Sequence, residues 1–364
     1  MQFELLLKIL LCAFLMAPEA KAKENADYVY AYSCQILDSE GKLLRKFPGY
    51  ICTYANDGSV YSSSQSLLQK FSSDGALAWS KKLNSHHSIR MLDQKHFLLL
   101  TSSFHQHKGE LMRFDRISIY NVEGTEIQYF DFYDHLNEIG KCEAVSTGYI
   151  GDTWIGLREP LAELSQDEKD NFKPVLHEYS HANSIYEITE NKISKKIAAF
   201  TKGNFIVSVN GLGLIFILSK DFKSILWSLP FPKLTTGGSI HDVQISKSGS
   251  DILYYANNHW PEASAILSLN PLTKKQKTIY RSSGKPEFFG ESQGGVQELE
   301  RGQYLISQLS EKFGNRIFIV NNKRKIIWEV TPTQEGLFGL PLVGMQDAKR
   351  IDLTQFLKNN KATY

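Results

Sequence analysis

The chain lacks most of the features that would direct it to a nucleic acid, a membrane interior or a metal ion. Its 364 residues carry 41 Lys and Arg against 39 Asp and Glu, a formal net charge of +2. That balance leaves no electrostatic footprint for a phosphate backbone. Beyond roughly the first twenty residues, no apolar run is long enough to span a bilayer. There are 4 cysteines, and none sits in a Cys-x-x-Cys pair or a Cys/His cluster, so no zinc site is signalled. Polar low-complexity tracts are missing, which excludes wholesale disorder. What is present is a hydrophobic fraction of 42% and an aromatic fraction of 12%, enough apolar mass to build one large domain or two ordinary ones.

The N-terminus stands apart. Residues Ile9 to Ala17 form a short apolar stretch after Lys8, and Ala20-Lys21-Ala22 follows. Small residues three before and one before a cut after Ala22 predict a signal peptide over 1–22, leaving a single domain over 23–364. The alternative, an uncleaved anchor, needs a longer apolar run. Cleavage predicts a periplasmic or secreted protein with no membrane attachment. Cys34, Cys52 and Cys142 then remain, at most one pair and a spare thiol. Cys34 and Cys52 are the closer two in sequence, and three unpaired buried thiols are equally compatible with the text.

The rest of the chain reads as β-structure. Short β-branched and aromatic runs are separated by turn signals such as Asn56-Asp57-Gly58, Asp74-Gly75 and Glu123-Gly124. One short helix is expected from Pro160 through Asp170. A unit of strand, polar turn and second strand, often closing in Trp, recurs at Leu68–Trp79, Leu214–Trp227 and Ile317–Trp328. Ile117–Ile127 and Ile266–Ile279 are versions without Trp. These closures are spaced by about fifty residues or its multiples, with a further closure expected near residue 177. That is the period of a β-propeller blade, and it predicts an all-β, six-bladed propeller, with seven blades as the alternative. A large β-sandwich would not predict the even spacing. The half-unit Ile36–Leu44 reads as N-terminal strands that complete the last blade.

Most of the 10 histidines call for no function. His105, His107 and His135 lie in polar text and are expected in solvent, His259 in a loop, and His96 packed beside an apolar strand. His177 is a rival to His181 without support from the repeat. Three segments recur where each blade's innermost strand should begin: His86-His87-Ser88-Ile89, His181-Ala182-Asn183-Ser184 and His241-Asp242-Val243-Gln244. The next blade has Gly294-Gly295-Val296-Gln297 there, without the histidine. Innermost strands line the axis, so these imidazoles are expected to converge, and imidazole can attack, carry or donate a proton near neutral pH.

In these residues the sequence resembles the bacterial arylsulfate sulfotransferases, exported six-bladed propellers. The likeness rests on His181-Ala182-Asn183-Ser184 through Trp227, on His241 to Leu253, and on Gly294–Gln297 with Ile326-Ile327-Trp328-Glu329-Val330. It implies sulfuryl transfer from a phenolic sulfate ester to a phenol through a sulfohistidine, with no metal or organic cofactor. His241 would be the nucleophile. His181, Asn183 and His86 or His87 would hold the sulfuryl and bridging oxygens, with His87 favoured because His87-Ser88-Ile89 aligns with His241-Asp242-Val243. The family's arginine in the following strand falls on Asn210 here. Loss of a fixed positive charge should weaken sulfate binding. That departure supports the alternative of a non-catalytic propeller binding a ligand or protein partner in the cell envelope. Nothing in the text sets the oligomeric state.

Overall fold

The computed structural model describes residues 28–32, 34–64, 66–142, 153–155, 176–230, 240–260, 263–282, 288–290, 294–310, 313–331 and 348–352. These residues form six sheets arranged as propeller blades. Blade 1 holds Tyr28–Tyr32, Gln35–Leu37 and Leu43–Lys46, with Ala348–Asp352 as its innermost strand. Blade 2 holds Ile51–Tyr54, Val60–Ser63, Leu67–Phe71 and Leu77–Lys82. Blade 3 runs from Ser85–Met91 through the long strands His96–His107 and Glu110–Asn121 to Glu126–Asp131. Blade 4 is Ala182–Glu187, Phe205–Val209, Leu214–Leu218 and Ile225–Pro230. Blade 5 is Ile240–Ile245, Ile252–Trp260, Ala263–Leu269 and Gln276–Tyr280. Blade 6 is Gly294–Glu298, Tyr304–Gln308, Arg316–Val320 and Ile326–Val330. Helix among the described residues is confined to Leu136–Ile139 and three short 3-10 turns.

Burial explains the sequence pattern. The middle strands of blade 4, FIVSV and LIFIL, are buried throughout, while the outer strand of blade 2, LAWSKK, is mostly exposed. A middle strand is covered on both faces by neighbouring blades, so it reads as a continuous apolar run rather than an alternation. Each fully buried Leu, Ile or Phe in such a strand contributes roughly 1.5–3 kcal/mol. The recurrent tryptophans join blades. Trp79 Nε1 donates to Val122 O (3.2 Å), in the last turn of blade 3. Trp328 Nε1 donates to Ser39 O (2.8 Å), in the corresponding turn of blade 1, and its ring stacks on Tyr30. Trp227 packs on Phe200 within the core shared by blades 4 and 5. At Trp79 and Trp328 the repeat therefore marks a side chain that reaches across to another unit.

Two expectations are corrected. Among the described residues no blade closes near residue 177. The chain from 132 to 181 is an insertion between blades 3 and 4, and from it Thr153–Ile155 and Leu176–Glu178 extend the sheet of blade 3. The N-terminal half-unit does not complete the last blade either, because blade 6 already has four strands. It makes blade 1, whose innermost strand pairs Tyr28 with Asp352 and Tyr32 with Ala348. Putting N-terminal and C-terminal strands in one sheet fastens the ring by backbone hydrogen bonds. A disulfide between Cys34 and Cys52 fastens blade 1 to blade 2, and Cys142 is a buried free thiol. The signal peptide, the helix at 160–170 and the side chains of His177 and His259 lie outside the described residues.

Candidate functional site

The site begins as a backbone irregularity. The innermost strands of blades 3, 4 and 5 each slip register near their start, between Ser85 and Ile89, Ala182 and Ser184, and His241 and Gln244. The corresponding strand of blade 6 pairs without a slip. At the three bulges His87, His181 and Asp242 take φ of 55°, 53° and 54°. Left-handed conformations in residues other than glycine cost on the order of 1–3 kcal/mol each and gather where a side chain must be re-aimed. The matching angles align His86 with His241 and His87 with Asp242, one residue away from the expected alignment.

The bulges bring four imidazoles together. His87 is central: its ring centroid lies 4.7 Å from His181, 5.2 Å from His86 and 6.1 Å from His241. His87 Nε2 and His181 Nε2 share a hydrogen bond of 3.0 Å. Each of the other rings leans on its own acceptor. His181 Nδ1 bonds Glu178 Oε2 at 2.6 Å, and the other oxygen of Glu178 pairs with Arg113. His241 Nδ1 bonds Asn257 Oδ1 at 2.6 Å. His86 Nε2 lies 2.9 Å from Asp115 Oδ1, and Asp115 Oδ2 accepts from Ser180 Oγ (2.6 Å) and Ala182 N (2.5 Å).

These acceptors decide what each ring can do. The Asn257 amide is fixed because its Nδ2 donates to Gly290 O (3.1 Å), which turns Oδ1 toward His241. His241 therefore carries its proton on Nδ1 when neutral, and Nε2 presents a lone pair. Burial alone would lower the proton affinity of His181, but the Glu178 carboxylate outweighs it and raises the pKa above the ordinary 6.5. Burial, joined by repulsion from His181, His86 and His241, holds His87 well below that value. Burial would also raise Asp115, but His86, Arg113 and Ser180 together hold it low. Glu178, pushed up by burial, is likewise held low by His181 and Arg113. Among the described residues, no group of three or more His, Cys, Asp or Glu side chains is arranged to hold a metal ion.

The remaining expected residues sit at the edge of the cluster. Asn183 is buried and donates Nδ2 to Ile240 O (2.9 Å), bracing the residue before His241, while its Oδ1 has no hydrogen-bond partner. Asn210 N donates to His181 O (2.9 Å) and Gly211 N to Ser180 O (2.8 Å). A Cβ on Gly211 would stand 2.6 Å from that carbonyl, so only glycine lets this turn close on His181. Beside His241, Asp242 ties four blades together: it accepts from Arg90 (3.0 Å) in blade 3, from Tyr186 in blade 4 and from Val296 N (2.6 Å) in blade 6.

The other histidines with described side chains are not in the cluster. His105 and His135 are only partly solvated, since they stack on Tyr133 and Phe130, and His107 meets Phe114 edge-on. His96 clasps Asp93 in a turn instead of packing. Sequence reasoning missed Arg113, Asp115, Glu178 and Asn257. The first two had a signal: Arg113 and Asp115 alternate with Met112 and Phe114 in a strand twice the usual length, a pattern that puts two charges on one face.

Six blades with imidazoles gathered at the start of three successive innermost strands define a β-propeller with a histidine-lined axial site. The chain belongs to the arylsulfotransferase family: the profile described as Arylsulfotransferase (ASST) matches residues 57–335. No curated protein matches the chain closely enough to count as a relative. Among solved structures it is similar to TolB from Acinetobacter baumannii (12% identity, 90% of this chain and 67% of that chain, TM-score 0.45). It is also similar to the Cps50 (Swd1) beta-propeller domain from Myceliophteria thermophila (11%, 85% of each, 0.42) and to Saccharomyces cerevisiae Sqt1 (10%, 86% and 88%, 0.42).

Proposed function

We propose that the protein transfers a sulfuryl group from an aryl sulfate to a phenol by way of a sulfated His241. The observation that carries this reading is the difference between two acceptors: a neutral amide on His241 and a carboxylate on His181. His241 Nε2 attacks sulfur with its lone pair. The bond from sulfur to the aryl oxygen breaks, and its electron pair leaves on that oxygen. His181, whose proton affinity Glu178 raises, supplies the proton that makes the leaving group a neutral phenol. An acceptor phenol then enters, gives its proton back to His181 and takes the sulfuryl group from Nε2, restoring neutral His241. His87, held neutral, donates to an oxygen of the transferred group, as an oxyanion donor does.

Incubation with 4-nitrophenyl sulfate and phenol tests this. Nitrophenol release that depends on acceptor, is abolished by His241→Ala and passes through a protein-bound radiosulfate label supports the reading. No release at any acceptor concentration defeats it, and leaves the cluster to a propeller that only binds ligands. We also propose that the protein works outside the cytoplasm. The Cys34–Cys52 disulfide supports this, since such bonds persist in oxidising compartments. Alkylation mass spectrometry on protein from cell fractions checks it.

A further inference from the structure

Glu178 is shared: Arg113 pairs with one carboxylate oxygen, and His181 Nδ1 bonds the other. Arg113 is nearly buried, with 9% of its side chain exposed, and its Nε has no hydrogen-bond partner. A guanidinium N–H withdrawn from water without an acceptor costs on the order of 1–3 kcal/mol or more, and native proteins seldom leave one so. Position supplies the rest. Arg113 lies in the long third strand of blade 3, paired in register with Glu178 on one side and Phe104 on the other. Asp115, two residues on and on the same face, reaches His86. The face carrying Arg113 is therefore the face that meets the imidazoles.

We infer that Arg113 is the anion-holding cation of this site, its Nε–H and a neighbouring Nη–H gripping a nonbridging oxygen of a sulfate ester. The inference rests on the proposed reading for the ester but not for the anion. It also answers the departure at Asn210: the fixed charge comes from the blade 3 hairpin rather than from the strand after His181. Phe104, directly opposite on the same face, is only part-buried and joins none of the apolar clusters. An aryl ester held by Arg113 thus has an aromatic ring beside it.

The test uses the full chain and two readouts: inorganic sulfate binding by calorimetry, and KM for 4-nitrophenyl sulfate. The variants are Arg113→Met, Arg113→Lys and the double change Arg113→Met with Glu178→Gln, which removes both buried charges together. Circular dichroism confirms folding. Sulfate affinity is expected to fall roughly ten- to a hundredfold in the Met variants and less in the Lys variant, which keeps charge but not the fork. KM is expected to rise in parallel. Sulfate affinity within twofold of the parent in either folded Met variant overturns the inference, and so does a parent chain that binds no sulfate. Arg113-dependent sulfate binding without nitrophenol release upholds this inference and defeats the enzymatic one. Turnover with unchanged KM in the folded Arg113→Met variant does the reverse.

Discussion

Replacing Asn257 with aspartate isolates the electrostatic part of the site. Asn257 is fully buried, and its Oδ1 accepts from His241 Nδ1 at 2.6 Å. Aspartate keeps that hydrogen bond and adds a negative charge beside the ring. With the two charge centres about 4 Å apart and an effective dielectric near 20, the attraction to an imidazolium is about 4 kcal/mol. Burying the new carboxylate, and losing the donor to Gly290 O, cancels about half of it. A net of about 2 kcal/mol favours protonated His241 roughly thirtyfold, and a protonated imidazole has no lone pair to attack with. The assay is kcat/KM for 4-nitrophenyl sulfate against pH. Asn257→Asp is expected to lose about thirtyfold near neutrality and to recover as the pH rises. Asn257→Leu removes the acceptor without adding charge, and its loss, on the order of a hundredfold or more, is expected to be independent of pH. Nitrogen-15 NMR of the imidazoles gives a readout that needs no turnover: His241 should carry its proton on Nδ1 in the parent and on both nitrogens in the aspartate variant. An aspartate variant as active as the parent at neutral pH, or one whose loss does not recover on the alkaline side, refutes the reasoning.

Three further outcomes follow from the packing and the charges. The raised pKa of His181 contributes stability that is present below pH 6.5 and is lost as pH rises through the folded value, whereas Glu178 and Asp115, held low, contribute stability that is lost as pH falls through theirs; in urea unfolding against pH, Glu178→Gln should abolish the alkaline loss and cost roughly 3–5 kcal/mol by leaving Arg113 buried without its carboxylate. Gly294→Ala should lower the melting temperature, because the new Cβ would stand 2.4 Å from Tyr255 Cζ at a φ of +152°, and overpacking of that kind costs on the order of 1–3 kcal/mol; an unchanged melting temperature counts against the placement of Tyr255. Reducing Cys34–Cys52, which closes a separation of 18 residues, should cost about 3 kcal/mol, seen as a lower urea midpoint with reductant and reproduced by the paired serine variant.

The propeller was legible because its repeat is enforced by packing. Trp79 and Trp328 donate to a turn of another blade and Trp227 packs on the core shared by blades 4 and 5, a packing need that returns along the chain. Ile127 and Ile279 also stand in outer strands, as the spacing predicted. Where packing does not repeat, the reading failed. The interval before His181 has the length of a unit, but its described residues form no blade of their own, so counting by length assigned it a closure that the half-unit at Ile36–Leu44 supplies instead. Length alone cannot separate an insertion from a degenerate blade, since both are stretches of chain between two good matches.

The site was half legible for a related reason. Motifs at the start of the innermost strands exposed His87, His181 and His241, since corresponding segments in a ring converge even where the residues are offset by one. Their chemistry depends on what each Nδ1 meets, and those acceptors come from elsewhere: Glu178 from the insertion, Asn257 from the second strand of its blade. Three imidazoles in similar bulges would be near equivalents if nothing else approached them. One neutral acceptor and one charged acceptor break that equivalence: the Asn257 amide leaves His241 Nε2 its lone pair, and the Glu178 carboxylate raises the proton affinity of His181. The blade fold thus supplies convergence, and in the proposed mechanism one acceptor from the insertion and one from a blade strand divide attack from proton transfer. Exchanging the two acceptors, by combining Glu178→Gln with Asn257→Asp, should therefore fail to restore activity even though the total charge of the site is unchanged. A doubly substituted protein as active as the parent would show that the cluster works by its summed charge, and not by which ring holds which proton.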